Sequence, residues 1–380
     1  MSTYRFSFPT PIHFGAGTRN MVKAHLQGQK FSKPLIVTDR GIAGLPLFQE
    51  WVKSLAPLNV TVFSEIWGNP VKSQVTAGVN AFKSHHADCI IGIGGGAALD
   101  VAKAIALMAT HEGDLFDYED EKPGAREIHD PIPYWIALPT TSGTGSEVGR
   151  SAVISDDKTH IKKIIFSPKL LAKTVFADPE WTTGLPAPIT AATGMDALTH
   201  CVEAYLAKGY HPLCDGIALE GIRLASQFLV KAVNNPNDIE ARSGMMMSSM
   251  MGAIAFQKGL GIVHSTAHAL GTVNDLHHGL ANALMIDHAL KFNAAAVPER
   301  FKTMAQVVGL SDATPQGFLR WLDDLKKQIK IQPNLAAVKV TPAHLDELVR
   351  VATEDSCHLN NPIPVTSADF KKIFVEAMGS

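Results

Sequence analysis

The stretch "ADCIIGIGGGAALDVAKAIALMA" limits the possible folds more than any other part of the chain. Cys89 to Ile93 form a short, unbroken apolar run, which reads as a strand buried on both faces. Such strands belong to parallel sheets covered by helices. Gly94, Gly95 and Gly96 end the strand, and an Ala- and Leu-rich helix follows. The same alternation occurs upstream. "KPLIVTD" precedes helical spacing from Leu45 to Leu55, and "NVTVFSEI" precedes a helix from Val75 to Lys83. These lengths predict a parallel, nucleotide-binding type of sheet with crossover helices.

Other segments extend this plan. "YRFSFPTPIHFGAG" predicts an edge strand or hairpin, and "PYWIALPTTSGTGSE" a strand running into a hydroxyl- and Gly-rich loop. Glu112 to Asp130 reads as a surface loop, "SAVISDDKTHIKKIIFSP" as a hairpin, and "TVFADPEWTTGLP" as a last strand and linker. The composition changes near Leu185, and helical periodicity dominates from Ala187 onward. The expectation is an α/β dinucleotide-binding domain over 1–186 and an all-helical metal-binding and catalytic domain over 187–380. A chain of 380 residues has room for two cores.

The helical half contains the metal-type chemistry. Asp196 and His200 stand one helical turn apart in "TGMDALTHCVEAY", so both leave the same face. His264 and His268 repeat this spacing in "GLGIVHSTAHALG", and His277 and His278 follow. Imidazole suits Fe(II), Zn(II), Ni(II) or Cu(II), and one carboxylate adds charge. With 16 His in the chain, such pairs also arise as hydrogen-bonded core or surface residues. In "MMMSSMM", at 245–251, the thioethers read as helix-core packing.

The first half contains the anion-type chemistry. Without Cβ atoms, Gly94 to Gly96 let the backbone approach a pyrophosphate, with helix amides behind them, although such a turn also serves as a plain tight turn. Asp39, at the end of "LIVTD", can accept from a ribose 2'-hydroxyl and repel a 2'-phosphate, which favours NAD; it can equally cap the next turn. Thr140, Thr141 and Thr144 suit a phosphate loop or simple side-chain turns.

A net charge of -2 and a pI near 6.8 give no electrostatic reason to expect nucleic acid or an anionic membrane as partner. Four Cys without CxxC spacing fit a reducing compartment. No signal peptide or membrane-span pattern is visible, so the reading is cytoplasmic.

"GMDALTHCVEAY", "GIVHSTAHALG" and "HHGLANALM" together resemble the iron-containing, group III alcohol dehydrogenases, and the similarity spans nearly the whole chain. The resemblance implies the dehydroquinate synthase-like fold, with an α/β nucleotide domain and an all-α domain. It implies a metal held by Asp196, His200, His264 and His278, with Fe(II) or Zn(II) as the ion. His268 becomes the candidate proton relay and His277 a bystander. For the dinucleotide it implies contacts from Asp39, Asn69, Gly95, Gly96, Ala97, Asp100, Thr140, Thr141, Thr144, Lys162 and Leu185. Ala97 stands where many members have Ser. Arg150, Ser151, Phe256 and Cys357 are then candidates for the substrate pocket, and a homodimer formed through the N-terminal strand is implied.

The implied reaction moves a hydride between a small primary alcohol and NAD, with the aldehyde as the other partner. After "TGSEV" the chain departs from many members with Gly149, Arg150 and Ser151. An Arg there can clamp a carboxylate, as on an ω-hydroxy acid and its semialdehyde, or it can pair with Glu147 or face solvent. Hydroxyacid-oxoacid transhydrogenase and a dehydroquinate synthase-like lyase are the rival activities.

Overall fold

The computed structural model describes residues 7–120 and 122–379. Tyr4 to Phe6 of the expected first strand lie outside them. The chain forms two compact units, one of Phe8–Thr141 with Ser146–Trp181, the other of Ser142–Gly145 with Thr182–Ser380 and Ser7.

The first unit is built on a six-stranded sheet in the order β1-β8-β5-β4-β2-β3, with every pairing parallel. Its strands are β1 (Ile12–Phe14), β2 (Pro34–Val37), β3 (Thr61–Phe63), β4 (Cys89–Gly94), β5 (Tyr134–Pro139) and β8 (Thr174–Ala177). The helices α1 (Val22–Gly28), α2 (Arg40–Ala43), α3 (Pro46–Ser54), α4 (Lys72–His85) and α5 (Gly96–Met108) lie between the strands in sequence. All six residues of β4 are buried, as an unbroken apolar run in mid-sheet requires. Trp135 on β5 is fully buried, and its indole N–H donates to the Leu170 carbonyl at 3.0 Å, so no polar atom is left orphaned by its burial. The expected hairpin is the antiparallel ribbon β6 (Ser151–Ser155) with β7 (Lys162–Phe166).

The sheet places β3 on one side of β2 and β4 on the other. The strand order therefore reverses at β2. Ligands of open α/β sheets bind outside the carboxyl ends of the strands at such a reversal.

The second unit holds α6 (Ala187–Leu206), α7 (Pro212–Asn234), α8 (Ile239–Ala255), α9 (Ile262–Asn274), α10 (His278–Ala294), α11 (Pro298–Val307), α12 (Pro315–Gln328), α13 (Leu345–Glu354) and α14 (Ser367–Ala377). α6 packs against α7, α8 and α10 and is buried on all sides from Met195 to Leu206. A helix apolar all round must lie inside a bundle, and this one brings Asp196, His200 and Glu203 in with it. Its C-terminal end is met by two cations, since Lys258 Nζ and Arg300 Nη1 both donate to the Tyr205 carbonyl. Positive charge is favourable at that end of a helix. Met245, Met246 and Met250 are buried in the bundle, in line with packing.

The division between the units falls at Trp181–Thr182, ahead of the expected 186–187. The linker folds onto the helix that it precedes. Leu185 N–H donates to the Thr182 carbonyl, and the Thr190 hydroxyl reaches the Leu185 carbonyl at 3.5 Å. No described helix is long and apolar enough to cross a membrane.

Candidate active site

In the first unit, three segments converge at the carboxyl ends of β2, β4 and β5. Gly94 has φ +151°, and a Cβ on it would lie 2.5 Å from the Ala98 Cβ and 3.3 Å from Asp39 Oδ2. The position therefore needs glycine both for its backbone angle and for space. Gly95 caps α5 without any side-chain bond, leaving the first amides of a 13-residue helix without a side-chain acceptor. Such amides are suited to a phosphate. Thr141 lies against Gly95, its hydroxyl 3.3 Å from where a Cβ would be. Asp39 does cap the next turn, accepting from Ile42 N–H through Oδ1. The cap engages that oxygen, while Oδ2 is the one beside Gly94.

Asp100 faces the protein. Oδ1 accepts from the Ser146 hydroxyl at 2.6 Å and from Lys103 Nζ at 3.2 Å, and Oδ2 accepts from Val153 N–H at 3.0 Å. Lys103 is completely buried and also donates to Ser146 Oγ and to the Ser151 carbonyl, both at 2.7 Å. One ammonium thus ties the glycine-loop helix to the hydroxyl loop and to the start of β6. Sequence reading gave Lys103 no role of its own, although a Lys in the apolar run "ALDVAKAIAL" was the signal for a buried partner. Arg150 lies over the Phe166 ring, its guanidinium carbon 5.4 Å from the centroid. Ser151 and Lys162 are half-buried on β6 and β7, and Asn69 is exposed between β3 and α4.

In the second unit, Asp196, His200, His264 and His278 come together, their candidate ligand atoms all within 4.8 Å of one another. Asp196 Oδ1 stands 3.3 Å from His278 Nε2 and 3.8 Å from His200 Nε2. Asn282 Nδ2 donates to Asp196 Oδ1 at 2.8 Å and lies 3.2 Å and 3.4 Å from the Nε2 atoms of His278 and His264. Its own Oδ1 is buried with no hydrogen-bond partner. One carboxylate and three imidazoles with their ligand atoms within 4.8 Å of one another fit a divalent cation of the Fe(II) or Zn(II) type.

Glu203 organises this cluster. Its carboxylate accepts from the Val263 and His264 N–H groups at 2.7 and 3.1 Å, capping the start of α9 from another helix, and it meets His264 Nδ1 at 2.6 Å. A Cβ on Gly261 would lie 2.7 Å from Oε1, so this approach needs the glycine. With Nδ1 facing a carboxylate, the His264 proton sits on Nδ1 and the lone pair on Nε2. Burial pushes His264 down to about 3 and His200 down to about 4. Near pH 7 both rings are neutral, the form in which imidazole binds metal. In sequence, Glu203 lies one turn beyond His200 on the face that Asp196 shares, the one visible signal of its role.

His268 lies beside this cluster, its ring 5.3 Å from that of His278 and stacked on it. Asp355 Oδ2 holds its Nδ1 at 2.8 Å. Phe256 meets the His200 ring edge-on at 5.1 Å, and Cys357 groups with His268 and Asp355. His277, the expected bystander, caps α10 by accepting from Leu280 N–H at 3.4 Å. Leu185 and Thr144 are half-buried in this unit. Asn282 and Asp355 were missed in the sequence, where an Asn one turn after His278 and an Asp near Cys357 carry no mark of their own.

Two family models cover the chain, iron-containing alcohol dehydrogenase over residues 9–179 and its C-terminal counterpart over residues 190–378. The chain is 37% identical to a 4-hydroxybutyrate dehydrogenase of Cupriavidus necator, over 97% of this chain and 98% of the relative. It is 35% identical to an NAD-dependent methanol dehydrogenase of Bacillus methanolicus, over 98% and 99%. A solved 1,3-propanediol oxidoreductase superposes with a TM-score of 0.93 at 33% identity, covering 99% of this chain and 100% of that one. A sulfoacetaldehyde reductase from Bifidobacterium kashiwanohense, solved with NAD+, superposes equally well at 27% identity. The chain therefore belongs to the iron-containing alcohol dehydrogenase family and is an NAD-dependent alcohol oxidoreductase.

Proposed function

We propose that the enzyme interconverts a short ω-hydroxy acid and its semialdehyde with NAD(H), using Fe(II), or Zn(II) in its place, at Asp196, His200, His264 and His278. The observation that carries this reading is the convergence of three imidazoles and one carboxylate, of which Asp196, His200 and His264 are buried. The anionic end of the substrate is supported by the 4-hydroxybutyrate dehydrogenase relative and by Arg150. When bound, the metal supplies Lewis acidity that makes an alcohol more acidic.

The chain's own residues do the rest. Glu203 keeps the His264 lone pair on Nε2. Asp355 keeps the His268 proton on Nδ1, leaving Nε2 to take a proton toward solvent. Gly95, Gly96 and Ala97 offer backbone amides to the pyrophosphate, with Thr140, Thr141 and Thr144 beside it. Asp39 and Asn69 bind toward the adenosine and nicotinamide sides, Lys162 near a ribose, and Leu185 along the cofactor. Asp100 acts through the hydroxyl loop that it anchors. Arg150 and Ser151 receive the carboxylate, while Phe256 and Cys357 line the carbon chain. The edge strand β1 pairs with a second copy to give a homodimer.

The test is NADH formation by apo-protein reconstituted anaerobically with Fe(II), Zn(II) or no metal, against short alcohols, diols and ω-hydroxy acids. The expected result is metal-dependent turnover that favours the hydroxy acids. Arg150→Ala should then cost roughly tenfold to a hundredfold on a hydroxy acid and little on a diol. Equal losses on both would remove the clamp. Turnover only as exchange between a hydroxy acid and an oxo acid, with NAD never released, would point to a transhydrogenase.

A further inference from the structure

We propose that His268, Asp355 and Cys357 form a second metal site, beside the first, that takes a borderline or soft divalent ion such as Zn(II), Co(II) or Cd(II). The three side chains offer one imidazole nitrogen, one carboxylate oxygen and one thiol sulfur within 4.8 Å of one another. Asp355 is the hub. Its Oδ2 meets His268 Nδ1 at 2.8 Å, and its Oδ1 accepts from the Ser265 hydroxyl at 2.7 Å and from the Cys357 N–H at 2.9 Å. His358 N–H donates in turn to Ser265 Oγ at 2.9 Å. The donor set is thus held by bonds from α9 and from the turn after α13.

Charge and softness select the ligand. Burial works against the charged form of Asp355, yet the bonds from His268 and Ser265 keep its carboxyl well below the usual carboxylate range. Burial and the Asp355 charge push the Cys357 thiol up, so it keeps its proton until an ion displaces it. On binding, the thiol proton leaves to solvent and the metal–sulfur bond forms. The ion takes the place of the proton between His268 Nδ1 and Asp355, and that proton moves to Nε2. The result is M(II) with one thiolate, one carboxylate and one neutral imidazole, which carries no net charge and suits a partly buried place. Thiolate prefers zinc-like ions to Mg(II) or Ca(II). Once the ion is bound, His268 Nε2 has no lone pair for the relay proposed above, so filling the second site stops turnover. That consequence rests on the proposed relay, whereas the site itself does not.

Sulfur makes the two sites spectroscopically distinct, because the Asp196 cluster contains none. Titrating the full-length apo-protein with Co(II) should give visible ligand-field absorption with the first equivalent. The second should bring a near-ultraviolet thiolate-to-cobalt band and release one proton. Cys357→Ser should keep the first signal and lose the second. With two equivalents of Zn(II), X-ray absorption should show a sulfur shell at about 2.3 Å, a measurement that needs no variant. Binding of a single equivalent, a sulfur-free second equivalent, or a charge-transfer band that survives in Cys357→Ser would each overturn the second site. Absence of the first signal alone would count against the Asp196 site and leave this proposal standing.

Discussion

The glycine loop after β4 and the cluster around Asp196 prepare for charge in opposite ways. The loop works through the backbone. A glycine with φ +151° and an uncapped helix start present amides, and the nearest side chains mainly hold the loop in shape. The cluster works through side chains. Its four candidate ligands come from α6, α9 and α10, and a second layer, Glu203 and Asn282, fixes where protons and lone pairs point. A backbone site tolerates side-chain exchange as long as its shape survives. A side-chain site fails one residue at a time.

Four substitutions test that contrast, from the largest expected effect to the smallest. Asp196→Ala removes the only carboxylate of the cluster. The sulfur-free first equivalent of bound Co(II), read by its visible absorption, should vanish, and turnover should fall by about a thousandfold or more, the scale of several kcal/mol of lost electrostatic stabilisation. A retained sulfur-free equivalent with retained activity would move the site elsewhere.

Glu203→Gln keeps the shape and replaces the carboxyl behind His264 with an amide. Metal affinity, measured by competition with a chelator, should weaken roughly tenfold to a hundredfold, as is usual for the partner of a ligating histidine. No change would mean that capping α9 is all that Glu203 does.

Gly94→Ala is the corresponding blow to the backbone site. Strain at a positive φ and the clash with Ala98 should cost about 1–3 kcal/mol of stability and weaken NADH binding, leaving metal content unchanged. Thermal melts and NADH fluorescence titrations separate the two effects. Ala97→Ser adds a hydroxyl beside amides already in place, so NADH affinity should change by about threefold or less. A much larger change would show that side chains matter more in the loop than the contrast allows.

The two sites also differed in how far they could be read in the sequence. The strand, the three glycines and the helix after them lie next to one another in the chain, so local pattern predicted both the element and a phosphate-type ligand for it. Asp196 with His200, and His264 with His268, were legible because helical spacing puts each pair on one face. The layer behind them was not. Glu203 reaches α9 across 61 positions of sequence and His268 reaches Asp355 across 87. Beyond the helical face that Glu203 shares with Asp196, nothing local marks such partners, because a carboxylate in a helix reads the same whether it faces solvent or an imidazole.

By itself the sequence determined the parallel sheet, the helical second half, the glycine turn and the face shared by each metal-type pair. These follow from short-range periodicity, backbone freedom and residue chemistry. Only the tertiary structure decided that α6 would be buried on every side, that Asp100 and Lys103 would face inward, and that His268, Asp355 and Cys357 would meet. Those outcomes depend on which surfaces pack together, and burial is what turns an ordinary carboxylate, lysine or histidine into a partner with a fixed proton and a fixed direction.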